Sequence, residues 1–198
     1  MTNYSIQLFP DIKTTDLQTY MKDKHYLDIA CGINHLYSKS LLCSLKNNKK
    51  KHGLDIHDIT QSDKSDITYF KGTIYKTPFQ CGTYDCITIN NFLYFWEYNP
   101  TNLLKIYKEL YRICSKGGHI RVFPVFFDNY YENNLELFTY LQEHFWISLI
   151  RPSSDYSKES PIYYSEEKDI KKTPKENGQL EYKLNHELMA HCLLLQKK

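Results

Sequence analysis

The sequence predicts an α/β domain, a mostly parallel sheet with helices on both faces. Three observations predict it. Short apolar or β-branched runs alternate with segments of helical periodicity along the 198 residues. The links between them are short, which favours parallel strands joined by crossover helices. Hydrophobic residues make up 41% of the chain, enough for one core, and the length favours a single domain.

Each element has its own reason. Thr14-Thr15-Asp16 can cap a short helix to about Lys22, with Leu17 and Met21 four residues apart. His25 to Cys31 is an apolar run that stops at Gly32, the pattern of a buried strand. A helix from about Asn34 to Leu45 follows, with Leu36, Leu41, Leu42 and Leu45 on one face. The basic stretch from Asn47 to Lys51 reads as a turn before a brief strand, Gly53-Leu54-Asp55-Ile56. Further strands are expected at Ile67 to Lys71 and at Tyr84 to Asn90, the latter rich in β-branched residues.

Asn99 is placed to cap the next helix and Pro100 suits its first position. Leu103, Ile106, Tyr107, Leu110 and Cys114 form its apolar stripe, and Lys116-Gly117-Gly118 is expected to end it. His119 to Phe126 reads as a strand, with Pro124 pushing its end toward a sheet edge or a bulge. A helix over Asn133 to His144 and a strand over Phe145 to Ile150 follow. Residues 152–183 shift to Ser, Lys, Glu and Tyr and read as a surface insertion. The apolar segment Leu188 to Leu195 closes the pattern as strand or helix.

Composition narrows the function classes. The net charge is +2, from 25 basic and 23 acidic side chains, and only Arg112, Arg121 and Arg151 are arginines. That balance argues against a dedicated nucleic-acid or membrane-surface binder. The six cysteines include no C-x-x-C pair, so buried reduced thiols are expected rather than a zinc ribbon or a redox motif. Met1 to Pro10 lacks the features of a secretory signal, and no stretch reaches the ~18 apolar residues of a membrane span. A cytoplasmic protein is expected.

In parallel α/β sheets, ligands bind beyond the carboxyl ends of the strands, so the strand-to-helix turns carry the chemistry. The first is Leu27-Asp28-Ile29-Ala30-Cys31-Gly32-Ile33-Asn34. One glycine is too few for a dinucleotide G-x-G-x-x-G turn, and the G-K-[ST] of a phosphate loop is absent. Asp28 with the backbone near Gly32 and Asn34 suits a ligand that carries an ammonium and a carboxylate. Asp55, at the end of the second strand, is placed either to accept two ribose hydroxyls or to face solvent from a turn. Asn90-Asn91-Phe92 forms the turn after the fourth strand, two amides that lead into an aromatic cluster.

Five segments in order resemble the class I S-adenosylmethionine-dependent methyltransferases. They are the first turn, Gly53-Leu54-Asp55-Ile56, Gly72-Thr73-Ile74 before Thr77-Pro78-Phe79, Tyr84-Asp85-Cys86-Ile87-Thr88, and Leu110 through Gly118. The resemblance covers nearly the whole chain. It implies a Rossmann-like seven-stranded sheet whose last strand, Leu188 to Leu195, runs antiparallel. It implies S-adenosylmethionine as cofactor and an unidentified methyl acceptor, a small molecule or protein rather than nucleic acid. By the same resemblance Asp28, Ala30, Gly32 and Asn34 lie near the methionine portion and Asp55 and Ile56 near the ribose. Thr73 and Ile74 flank the adenine, and Asn90 lies under the cofactor near the methyl group.

Two positions depart from the family pattern. Ala30 and Asn34 stand where two glycines are usual, and Thr73 stands where an Asp is common. Residues 1–24 and 152–183 are the expected acceptor-recognition segments. His35, His57, Tyr75, Tyr94, Glu97 and Asp128 are polar residues near strand ends, with no assigned catalytic role. The alternative to an active enzyme is a catalytically silent relative that binds partners. A dinucleotide oxidoreductase is disfavoured by the missing glycines.

Overall fold

Alternating burial along the chain resolves into strands that share one sheet. The computed structural model describes residues 8–31, 41–46, 48–59, 66–90, 99–125, 134–150, 172–174, 180–182 and 191–198. Their elements in chain order are α1 (Leu17–Met21), β1 (His25–Ile29), α2 (Leu41–Ser44), β2 (Lys50–Asp55), β3 (Ile67–Lys71) and β4 (Tyr84–Asn90). Then come α3 (Pro100–Ile113), β5 (Cys114–Val125), α4 (Leu135–His144), β6 (Phe145–Ile150), β7 (Lys172–Pro174), β8 (Leu180–Tyr182) and β9 (His191–Lys197).

Seven strands pair in the order β3-β2-β1-β4-β5-β9-β6. The first five are mutually parallel, and β9 runs antiparallel between β5 and β6. The expected seven-stranded sheet with an antiparallel last strand is therefore present. β7 and β8 form a separate antiparallel pair within the expected 152–183 insertion.

The two faces differ in chemistry. One is apolar: Leu27, Ile29, Leu54, Ile87, Ile89, Ile120, Val122, Leu193 and Leu195 pack against α3 and α4. Burial of this stripe, at roughly 25 cal/mol per Å² of apolar surface, is the main stabilising contribution. The other face carries Tyr26, Cys86, Phe123 and Cys192 under Leu8, Phe9, Leu17, Met21 and α2. It also holds a polar row that the site uses. Asn99 Oδ1 accepts from Thr101 N at 3.0 Å to start α3, and Asn134 Oδ1 accepts from Leu137 N at 3.2 Å to start α4.

Two expectations are corrected. α3 ends at Ile113, before the Gly117-Gly118 pair, because Lys197 Nζ donates to the carbonyls of Tyr111 and Cys114 at 2.7 and 2.8 Å and satisfies the helix end. The glycines lie instead inside β5, where residues 115–118 bulge between the pairs Tyr84–Cys114 and Cys86–His119, and Gly117 takes φ +72°. The end of the basic turn is strand: Lys50 and Lys51 open β2, and Lys51 is buried there, where its ammonium donates to the carbonyls of Leu42 and Leu45 and pairs with Asp66 at 2.7 Å. Of the two outcomes expected at Pro124, an edge or a bulge, the structure has the bulge: Pro124 sits at a register shift between β5 and β9, in an internal strand. The helix expected over Asn34 to Leu45 appears as α2 at its end, and its earlier part lies outside the described residues. Among the described residues no helix is long and apolar enough to cross a membrane.

Candidate functional site

The site lies where β1 is flanked by β2 on one side and β4 on the other, so that chain connections leave in opposite directions. Residues paired across parallel strands point to the same side of the sheet. Asp28 pairs with Gly53 on β2 and with Thr88 on β4, so Asp28, Asp55, Thr88 and Asn90 share one face near the strand ends. The close approach of neighbours requires Gly53: a Cβ there would come within 2.6 Å of the Tyr69 ring and 2.9 Å of Cys31 Sγ.

The backbone after β1 turns at Ala30, which takes φ +54° in the left-handed region that favours glycine. Its N–H donates to Leu54 O at 2.8 Å and holds the turn over β2. The departure noted at Ala30 is therefore one of residue type and not of backbone shape.

Asp28 is the perturbed carboxyl of the site. Burial, reinforced by the negative charge of Asp55, pushes its carboxyl up to about 7 against the opposing hydrogen bond from Thr88. Thr88 Oγ1 donates to Asp28 Oδ1 at 2.7 Å and lies 2.7 Å from the Tyr26 hydroxyl. No basic side chain among the described residues pairs with Asp28. Asp55 is buried at the end of β2, and its Oδ1 accepts from the N–H of His57 at 3.0 Å. Asn90 Oδ1 is buried without a hydrogen-bond partner among the described residues. The arrangement gathers acceptors and negative charge on adjacent strand ends, which suits a ligand that brings donors and positive charge.

The turn after β3 is tied to this region. Gly72 N donates to Asp55 O at 2.8 Å, and Thr73 bridges to Lys76. Glu109 on α3 accepts from the backbone and hydroxyl of Thr77 at 2.7 and 2.6 Å, and Arg112 holds the same carboxylate at 2.6 Å. Burial opposes ionisation of Glu109, but Arg112 and Thr77 outweigh it and hold its carboxyl below the usual range. Within the turn Thr73 is exposed and Ile74 is buried in the core beside Leu54. Ile56 is 58% exposed next to Asp55.

Of the expected site residues, Asp28, Asp55 and Asn90 are brought together, and Ala30, Ile56, Thr73 and Ile74 flank them. Gly32 and Asn34 lie outside the described residues, as do His35, Tyr94, Glu97 and Asp128. Tyr75 is exposed. Sequence reasoning missed Tyr26 and Thr88. A Tyr two positions before an Asp on a strand shares its face, which was a readable signal; the pairing of Thr88 with Asp28 was not.

Comparison with known proteins supplies the remaining findings. Residues 27–122 match the family model of the methyltransferase domain. Among solved structures, a candidate S-adenosylmethionine-dependent methyltransferase from Listeria monocytogenes superposes with TM-score 0.56 at 14% identity, covering 93% of this chain and 96% of that one. The YcgJ protein of Bacillus subtilis gives 0.52 at 13% identity, covering 92% and 96%. A SAM-dependent methyltransferase from Methanosarcina mazei gives 0.51 at 14%, covering 94% and 98%. At such identities the structural likeness speaks for the fold alone. No curated protein matches the chain.

Proposed function

Residues 27–122 match the methyltransferase-domain model, and with the geometry of the strand ends we propose that the chain is a class I S-adenosylmethionine-dependent methyltransferase with S-adenosylmethionine as its cofactor, and that Asp28, Ala30, Gly32, Asn34, Asp55, Ile56, Thr73, Ile74 and Asn90 form the cofactor site. One observation carries this assignment: Asp28 is a buried carboxyl with no basic partner among the described residues, two residues in register from the unpartnered acceptor Asn90 Oδ1. These residues fit the cofactor, which brings an ammonium, a sulfonium charge and ribose hydroxyls to a site rich in acceptors.

In this reading Asp28 receives the ammonium, and the backbone from Ala30 to Asn34 receives the carboxylate. Asp55 receives the ribose hydroxyls. Exposed Ile56 lies beside the ribose, and Thr73 and the backbone of buried Ile74 flank the adenine. Asn90 Oδ1 faces the reacting centre. When bound, the cofactor supplies a methyl group on an already activated leaving group, so alignment, worth up to about 7–11 kcal/mol in well-oriented cases, is the main demand on the protein.

The acceptor is a small molecule or a protein side chain rather than nucleic acid. Two of the three arginines are committed internally: Arg112 to Glu109 and the Phe79 carbonyl, Arg121 to Asp11 and the Leu8 carbonyl. Neither is left to fork a phosphate. Acceptor recognition falls to residues 1–24 and 152–183. None of the six cysteines is in a disulfide, which suits the reducing cytoplasm.

Thermal denaturation with added S-adenosylhomocysteine tests the site. At ~100-fold above its dissociation constant the ligand adds about 2.7 kcal/mol, a rise of several degrees. Asp55→Ala should abolish most of that rise. No rise at millimolar ligand would remove the assignment and leave a catalytically silent relative.

A further inference from the structure

We propose that Tyr26 and Thr88 are positioning residues for cofactor binding, a hydroxyl relay that orients Asp28 and favours its charged form. The proposal rests on the reading of Asp28 as the group that receives the ammonium. It goes beyond it, because neither hydroxyl touches a ligand in that reading.

Geometry fixes the direction of the relay. A threonine hydroxyl has one hydrogen, and Thr88 gives it to Asp28 Oδ1 at 2.7 Å. Its second contact, at 2.7 Å to the Tyr26 hydroxyl, is therefore one in which Tyr26 donates. The chain Tyr26→Thr88→Asp28 ends on a carboxylate, the acceptor that gains most from such bonds. Both hydroxyl-bearing residues are fully buried. Apolar residues of similar shape would pack equally well on this face, so the hydroxyls call for another explanation.

The surroundings of Asp28 supply one. Among the described residues, the titratable groups that face it are Tyr26 and Cys31 on its own segment, Asp55 from β2, Tyr69 from β3 and Cys86 from β4. None is a cation. Burial pushes the thiols and phenols up, so they stay neutral near pH 7, and Asp55 repels a second negative charge. Among these neighbours the Thr88 hydrogen bond alone favours the ionised carboxyl. Tyr26 keeps its proton throughout and orients Thr88 toward Asp28.

The test uses the whole chain with Thr88→Val, Tyr26→Phe and, as the conservative control, Thr88→Ser. The first readout is the titration of the Asp28 carboxyl carbon by NMR without ligand, identified by its loss in Asp28→Asn. The wild-type midpoint is expected at about 7. Thr88→Val should raise it by about one pH unit, Tyr26→Phe by less, and Thr88→Ser should restore it. The second readout is S-adenosylhomocysteine affinity by calorimetry from pH 6 to 9. At pH 7 Thr88→Val should bind about fivefold more weakly, converging on the wild type by pH 9 as both ionise.

An unchanged midpoint in both Thr88→Val and Tyr26→Phe overturns the relay. So does an affinity loss of equal size at every pH, which would mark a merely structural role. Absence of binding in every form, the wild type included, overturns the cofactor reading instead, while the ligand-free titration still reports on the relay.

Discussion

Asp28 and Arg121 lie in one transverse row of the sheet, with Thr88 paired to both, and they solve the problem of a buried charge in opposite ways. Arg121 is 1% exposed and lies 4.4 Å from the centre of the Phe9 ring. Its guanidinium forks onto Asp11 at 2.5 and 2.9 Å and donates to Leu8 O at 3.0 Å, which straps the N-terminal segment to the sheet. Asp28 has a hydroxyl and a second carboxylate for neighbours, and no basic partner among the described residues. A buried charge balanced from within the chain holds structure together. One left unbalanced costs stability until a ligand balances it.

The comparison breaks if removing a carboxylate has the same sign at both ends of the row. The largest effect should come from Asp11→Ala, which strands the buried Arg121 and should destabilise by about 3–5 kcal/mol in urea denaturation. Burial opposes ionisation of Asp11, yet the hydrogen bond and charge of Arg121 hold its carboxyl below the usual range. Its stabilisation is thus present at neutral pH and lost as pH falls through that lowered value.

Asp28→Asn should act the other way. It should stabilise the ligand-free protein at pH 8 by about 2–4 kcal/mol while weakening S-adenosylhomocysteine binding about 100-fold or more. The sign follows from the proton count. Between the ordinary value of 3.8 and about 7 the folded chain holds a proton that the unfolded chain has released. Asp28 therefore makes stability decline as pH rises through that window, with no further change above it. Urea midpoints at pH 5, 6, 7 and 8 should show this decline in the wild type and lose it in Asp28→Asn.

Two backbone changes sharpen the comparison at the Asp28 end of the row. Gly53→Ala forces a Cβ against the Tyr69 ring and should cost about 1–3 kcal/mol of stability. Ala30→Gly relieves the left-handed backbone and should add about 1 kcal/mol or less, read as a small rise in Tm.

The strands carrying Asp28, Asp55 and Asn90 were legible because local alternation and turn chemistry agree there. The Tyr26–Thr88–Asp28 relay was not, because it depends on the register between β1 and β4, set by packing of residues 60 positions apart. Gly117 misled for a related reason. A glycine pair after an apolar stripe reads as a helix end, yet here a lysine from β9 closes the helix first. Lys51 reads as part of a basic turn in sequence, and the carbonyls of Leu42 and Leu45 together with Asp66 hold its ammonium in the core.

The place of β9 has a consequence for synthesis on the ribosome. Strands β1 to β5 come from residues 25–125 and can pair as they emerge, so the sheet positions of Asp28, Asp55, Thr88 and Asn90 assemble early. Among the described residues β6 pairs with β9 alone, and β9 also completes β5. Until residues 191–197 emerge, a nascent chain therefore carries the Asp28 half of its sheet with the β5 edge open to other chains. An open edge of that kind is a template for pairing with another chain until β9 covers it.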